Sequence, residues 1–422
     1  MTLHVDGDRL QQEMDTLASF TSVEQTGREG ERAVTRVVFT EDDLRARAYL
    51  KALYREAGLV VREDAVGNTF ARWVGTEPTL PAVGTGSHTD AIPHAGMYDG
   101  TLGVLGALEA IRALQRAGFH PRRSIELVMF TSEEPTRFGI GCLGSRLLAG
   151  SLSADKADAF RDSDDRTLAE IRATAGFQGP LSDVLLPQGD YNAWVELHIE
   201  QGPLLERDGI DIGVVTHIAA PASYRFTVEG FGGHAGALLM PDRRDALCAA
   251  AEIILAVEHA ALATGAVDTV ATVGTVQVHP GAVNSVPSRI ELGLDLRDID
   301  PVRRDAAMQH IRDANLQIAH KRNVTIRERE INSDAPAASD ERIVTAIEEA
   351  CKAHALSHQR MVSRAYHDSL FMARIAPIAM IFIPCRNGVS HKPDEFATVE
   401  SMEHGVTVLA DTLRALANSA DR

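Results

Sequence analysis

The strongest constraint on the fold of this chain is an alternation of strand-like and helix-like segments that is interrupted once and then resumes. Pro81 to Gly84 reads as a strand, Leu102 to Ala117 as a helix, and Ser124 to Phe130 and Ala193 to Ile199 as further buried strands. This is the pattern of a largely parallel sheet covered by helices. It is preceded by helical spacing over Asp8 to Phe20 and Glu41 to Ala57, the latter stopped by Gly58. Two strands, Leu59 to Arg62 and Thr69 to Val74, follow. From about Val215 the register changes. Ser223 to Glu229 alternates as a strand, Arg244 to Ala263 is a long helix, Thr269 to Val278 and Arg289 to Arg297 alternate again, Arg303 to Lys321 is helical, and Val324 to Glu330 is a last strand. That order is the split βαβ of a ferredoxin-like domain. Signals then resume at Glu341 to His354, Leu370 to Ile375 and Ile378 to Ile383, and Glu403 to Ala417 closes the chain as a helix. The expected fold is α/β in two domains. A mixed-sheet catalytic domain is built from 1–217 and 331–422, and an α+β lid is inserted at 218–330.

Composition narrows the partners. A formal net charge of −17 repels nucleic acid and anionic membrane surfaces at long range, so neither is expected. Met1 to Gln11 lacks a basic stretch followed by an apolar one, and no run of about 18 apolar residues is seen, so neither a signal peptide nor a membrane span is expected. The four cysteines are scattered without a Cys-x-x-Cys pair, which fits a reducing cytoplasm.

Four sheet-end loops carry groups that can bind metal. Thr85 to Gly100 holds His88, Asp90 and Asp99. In a His-x-Asp spacing one ring nitrogen can bind a metal while the carboxylate two residues on accepts the other N–H. Taken alone, His88 also has the lesser reading of a satisfied loop histidine. The strand ending at Phe130 runs into Glu133-Glu134, where one carboxylate can bind metal while its neighbour handles a proton; an exposed acidic turn would look the same. His198 lies in Glu196-Leu-His-Ile-Glu-Gln-Gly-Pro, and His391 follows another buried strand in Ser390-His-Lys-Pro. Such a coincidence at four loops is not expected from random placement.

This series resembles the co-catalytic two-metal metallopeptidase family of aminoacylases, carboxypeptidases and ureido-compound amidohydrolases, over nearly the whole chain. The resemblance implies a metallo-exopeptidase-like α/β/α catalytic domain. It implies His88, Asp99, Glu134, His198 and His391 as metal ligands, with Asp99 bridging, Asp90 as the partner of His88, and Glu133 as general base. Two divalent ions per subunit are implied, Mn2+ first and Zn2+ or Co2+ as alternatives. They would activate a bridging hydroxide for attack on a carbonyl.

Within the family, the His198 motif points to the ureido-cleaving amidase branch. The stretches Phe130-Thr-Ser-Glu-Glu-Pro-Thr-Arg-Phe-Gly, His234-Ala-Gly, Gly281-Ala-Val-Asn-Ser-Val-Pro-Ser and Ser363-Arg-Ala-Tyr-His-Asp-Ser are most similar to those of members acting on ureidoglycolate. That implies release of glyoxylate, ammonia and carbon dioxide. Allantoate and N-carbamoyl-L-amino acids are the alternative substrates, and their enzymes typically carry glycine where this chain has Tyr366, a residue that would narrow the pocket. The resemblance implies substrate contacts from Gln201, Asn284, Tyr366 and His367, and a carboxylate clamp from Arg297. Without it, Arg297 reads as a surface arginine paired with Asp298 or Asp300, and His234 as a turn histidine. With it, His234 reaches across a homodimer formed by the lids to hold the oxyanion, with the helix Arg244 to Ala263 at or near the interface. A metal-bound dimeric scaffold without activity is the reading from a different class, and the free Glu133 argues against it.

Overall fold

The structure, a computed structural model, describes residues 3–25 and 31–419. Of the polar stretch Met1 to Gln11, Met1 and Thr2 lie outside the described residues, and a helix Gly7–Ala18 begins within it. The chain divides into two compact units. One comprises 1–216, 338–361 and 367–422, the other 217–337 and 362–366.

The first unit is organised on a nine-stranded mixed sheet. Four strands at its middle, Ile378–Ile383, Tyr191–Ile199, Ala82–His88 and Ile125–Phe130, are parallel neighbours. They are buried almost throughout, as strands covered on both faces must be. Antiparallel strands flank them, Thr69–Trp73 and then Val60–Glu63 beyond Ile125–Phe130, and Ile212–Ile218 beyond Ile378–Ile383. Side-chain alternation along Tyr191–Ile199 separates two environments. Val195, Leu197 and Ile199 join a core with the long helices Thr101–Arg116 and Val399–Ala417. Trp194, Glu196 and His198 take the other side, where Trp194 meets Phe130 and donates its ring N–H to Ser369 Oγ at 3.0 Å.

The second unit is a four-stranded antiparallel sheet in the order Val270–His279, Arg289–Asp298, Ala220–Glu229, Thr325–Ser333, with the helices Ala246–Ala263 and Pro301–Arg322. Ile290, Leu292, Leu294 and Leu296 alternate onto its core with Ala222, Tyr224, Phe226 and Val228. Chain order and strand order together make the ferredoxin-like arrangement.

Several details depart from the sequence reading. Short strands Ala91–Ala95 and His358–Ser363, and the strand Ile212–Ile218, are not distinguished by periodicity. The last helix starts at Val399, four residues before Glu403, capped by Thr398 Oγ1. Residues 217, 331–337 and 362–366 belong with the second unit rather than the first. The strand Thr325–Ser333 runs past Glu330, and the Ala219 N–H donates to the Ser363 carbonyl at 2.8 Å. The helix Ala246–Ala263 is also long and apolar enough to cross a membrane by length and composition, against the expectation that no segment is. Its apolar residues are interspersed with Glu252, Glu258 and His259, which hides them from a search for an unbroken run. Ala249, Ala250, Ile253 and Val257 on this helix are buried in the core of the unit.

Candidate metal centre

Because the four central strands are parallel, their C-terminal ends converge on one edge, where open α/β sheets bind ligands. His88 is the last residue of its strand, in register with Phe130, and His198 lies in register with Phe382. Ser132, Gln201 and His391, on the segments leaving these strands, adopt positive φ of 56°, 56° and 61°. Non-glycine residues held there are uncommon and gather at functional sites.

Asp99 is the centre of the arrangement. Its Oδ1 lies 3.2 Å from His198 Nε2 and 3.5 Å from His88 Nε2, while its Oδ2 lies 3.2 Å from His391 Nε2. His391 Nε2 is also 3.4 Å from Glu134 Oε1. Two groups result, His88/Asp99/His198 and Asp99/Glu134/His391, each with ligand atoms within 4.8 Å of one another. The Nδ1 atoms of His88 and His198 lie 3.0 and 2.8 Å from the backbone carbonyls of Asp90 and Ile199. That leaves the Nε2 atoms to face Asp99. Gly100 has φ of 63°, and a Cβ there would come within 2.3 Å of His88 Nε2, so glycine is required.

Asp90 departs from the expected geometry. Its carboxylate Oδ1 is 3.8 Å from His88 Nδ1, and its backbone carbonyl, not its side chain, accepts from the ring. The carboxylate instead accepts the backbone N–H groups of Glu133 and Glu134 at 3.1 and 3.0 Å. The chain leaving Phe130 turns these N–H groups toward it, so the Asp90 carboxylate holds the acidic pair while its backbone carbonyl holds the histidine.

Glu133 is buried with Oε2 3.8 Å from His88 Nε2, and its Oε1 accepts from the Cys142 thiol at 3.3 Å. Burial pushes its carboxyl well above the ordinary range. Glu134 is pushed up to about 7, by burial and then by the charge of Asp99. Burial also works against Asp99, but hydrogen bonds from His198, His391 and His88 outweigh it and hold Asp99 well below the carboxylate range. The hydrogen bond to Asp99 lifts His391 to about 9. Crowded carboxylates with imidazole nitrogens between them, all buried except the exposed His391, fit divalent cations well.

These shifts fix a pH dependence. With a raised pKa near 9, His391 holds its proton in metal-free protein at neutral pH, and a bound ion must expel it. Ion affinity is therefore expected to rise with pH toward 9. Calorimetry at pH 7 in buffers of different ionisation enthalpy is expected to register proton release on binding; identical heats in every buffer would contradict it.

Gln201 donates to Asp99 Oδ2 at 2.6 Å, so its amide N–H is taken up by Asp99, and its Oε1 is buried without a hydrogen-bond partner. His367 is buried with its ring edge-on to His198 at 4.7 Å, and it forms a third group with Glu196 and His198. The Glu196 oxygens are already engaged by Ser87 Oγ at 2.7 Å and by the Ser369 N–H at 3.2 Å, which marks this group as a hydrogen-bonded support. Glu196, Cys142 and Glu395 escaped the sequence reading. Only Glu196 left a signal, its two-residue offset from His198 on a buried strand.

The remaining expected residues lie in the second unit. His234 and Asn284 are both exposed and adjoin each other, since Gly233–His234 pairs with Ser285–Val286 and the Ala235 N–H donates to the Asn284 carbonyl at 2.9 Å. Arg297 donates to Asp295 at 2.7 Å and to the Arg364 carbonyl at 3.0 Å, rather than pairing with Asp298 or Asp300. Asp298 is engaged by Arg303 instead. The Tyr366 hydroxyl is bonded to Asp334, and Arg364 pairs with Asp268.

Residues 84–415, which include every one of these metal-capable groups, match the model of Peptidase family M20/M25/M40. The chain belongs to that family. M20 enzymes are metal-dependent hydrolases, and the two groups sharing Asp99 are metal-capable clusters of histidine and carboxylate. The chain is 53% identical to "Ureidoglycolate hydrolase" of Arabidopsis thaliana, across 98% of this chain and 87% of that protein. It is 40% identical to "N-carbamoyl-L-amino acid amidohydrolase" of Geobacillus stearothermophilus, across 98% and 99%. A crystal structure of AtUAH in complex with glyoxylate matches with a TM-score of 0.89 at 52% identity, covering 99% of both chains.

Proposed function

We propose that the protein hydrolyses the ureido group of ureidoglycolate, yielding ammonia, carbon dioxide and a hydroxyglycine that loses a second ammonia to give glyoxylate. The observation that carries this reading is the pair of histidine–carboxylate groups sharing Asp99, with Glu133 beside them, in a chain so close to the Arabidopsis enzyme. His88 and His198 would hold one divalent ion and Glu134 and His391 the other, with Asp99 common to both; Mn2+ is the ion we favour. Two such ions supply Lewis acidity to the substrate carbonyl and acidity to water.

The chain's own groups do the rest. Glu133, anchored through its backbone by Asp90 and at Oε1 by Cys142, takes a proton from the attacking water and returns it to the leaving nitrogen. Burial keeps that carboxyl avid for a proton, which the relay needs. We assign Arg297 to the substrate carboxylate, with Asp295 fixing the plane of its guanidinium, and Asn284, Gln201, Tyr366 and His367 to the polar substrate ends. Ammonia and glyoxylate release by Mn2+-loaded protein, with ureidoglycolate, allantoate and an N-carbamoyl-L-amino acid compared side by side, tests the assignment. Ureidoglycolate is expected to have the highest kcat/KM, and a preference for either larger compound would overturn the substrate while leaving the chemistry standing.

We further propose a homodimer formed through the second unit, with His234 of each subunit holding the oxyanion in the other. The strand Val270–His279 is an edge of its sheet with one side unpaired. Beside it the helix Ala246–Ala263 leaves Leu255 and Leu262 64% and 74% exposed. Leu255→Asp combined with Leu262→Asp is expected to give monomers on size-exclusion chromatography that retain metal and lose turnover. Active monomers would contradict the placement of His234.

A further inference from the structure

Behind the Asp99 side of the centre lies a carboxylate that neither motif spacing nor the proposed chemistry calls upon. Glu395 is 2% exposed. Its Oε1 accepts the backbone N–H groups of Tyr98 and Asp99 at 2.8 and 3.0 Å. Its Oε2 accepts the His391 N–H at 3.3 Å and lies 2.9 Å from Ser390 Oγ. The same serine hydroxyl is 2.8 Å from Asp99 Oδ2. A Cβ on Gly96 would come within 2.4 Å of the Glu395 side chain, so the loop bearing Asp99 is built to let this carboxylate in.

The consequence is asymmetric. His88 and His198 are oriented by carbonyls of their own segments, Asp90 and Ile199. Asp99 and His391, 292 positions apart in the chain, are held to each other by Glu395 alone among the described side chains that bond to both their backbones. A buried carboxylate is costly unless its oxygens are satisfied, and here backbone donors from two loops satisfy them.

We infer that Glu395 is the positioning residue of the Asp99/Glu134/His391 group, setting the affinity of that ion site more than that of the His88/His198 site, with which it shares Asp99. The inference rests on the two-ion reading above. Glutamine at 395 can accept with one oxygen only, and its amide would turn N–H groups toward one of the two loops. Ser390 contributes a single hydroxyl to the same junction.

The test is Mn2+ titration by calorimetry, with metal content after gel filtration, on the wild type, Glu395→Ala, Glu395→Gln and Ser390→Ala. The wild type is expected to bind two ions. Glu395→Ala is expected to keep one at close to wild-type affinity and to bind the other about 10–100-fold more weakly, with Glu395→Gln and Ser390→Ala between. Retention of the first ion is itself the control for folding, and Glu395→Gln provides the same reading if the alanine variant does not fold. Two ions bound at wild-type affinity in Glu395→Ala, or both weakened equally, would overturn the inference. A wild type that binds fewer than two ions would instead defeat the two-ion reading beneath it.

Discussion

Replacing Glu133 by Gln is expected to leave metal content unchanged and to lower kcat by about 10²–10⁴-fold, the usual contribution of a positioned general base. The glutamine keeps the size of the side chain and can still accept from Cys142, so the fold of the loop is preserved. What it loses is the ability to hold a proton at Oε2. The distances separate this residue from its neighbour: Glu134 Oε1 is 3.4 Å from His391 Nε2 and within the second ligand group, whereas Glu133 belongs to neither group that shares Asp99. Loss of an ion in Glu133→Gln would make Glu133 a ligand and transfer the proton role elsewhere.

Asp99→Asn is expected to be the more severe change, removing both ions and all measurable turnover. Asp99 is the one residue common to the two groups, and its two oxygens face different histidines. An amide at this position offers one acceptor in place of two and no charge. It would also present an N–H group to either His198 or His391. By contrast, His391→Ala removes a ligand from one group only and is expected to leave one ion bound. Elemental analysis of the purified proteins distinguishes these results, and a two-ion Asp99→Asn protein would refute the bridging role.

The chain order of the second unit was legible because its strands alternate cleanly, as Ile290 to Leu296 does, and because its helices are long. The central strands of the first unit were legible as short apolar runs between helical periods. Ile212–Ile218 was not, since it passes directly into Ala220–Glu229 with only Ala219 between them, and the sequence reads as one change of register. Ala91–Ala95 contains Pro93 and pairs only with the three-residue Val34–Arg36, too short a ladder to leave a periodic trace.

At the centre, the ligands implied by the family resemblance, His88, Glu134, His198 and His391, gather around Asp99, because each lies at or beyond the C-terminal end of one of the parallel strands. The supporting residues could not be read in the same way. Glu395 acts on Asp99 from 296 positions away, and Cys142 reaches Glu133 only after the chain folds back. Which Asp90 atom meets His88 has a related cause. His-x-Asp spacing allows either the side chain or the backbone carbonyl to meet the ring, and the neighbouring N–H groups of Glu133 and Glu134 decide which.

The most direct measurement is of the products formed from ureidoglycolate labelled with carbon-13 at the ureido carbon, followed by nuclear magnetic resonance during turnover by the metal-loaded protein. Attack of water on the ureido carbonyl predicts that the label appears as carbon dioxide and bicarbonate, with ammonia and glyoxylate accumulating and no labelled urea. Label appearing in urea would mean that the bond to the glycolate carbon breaks instead, and that would contradict the account.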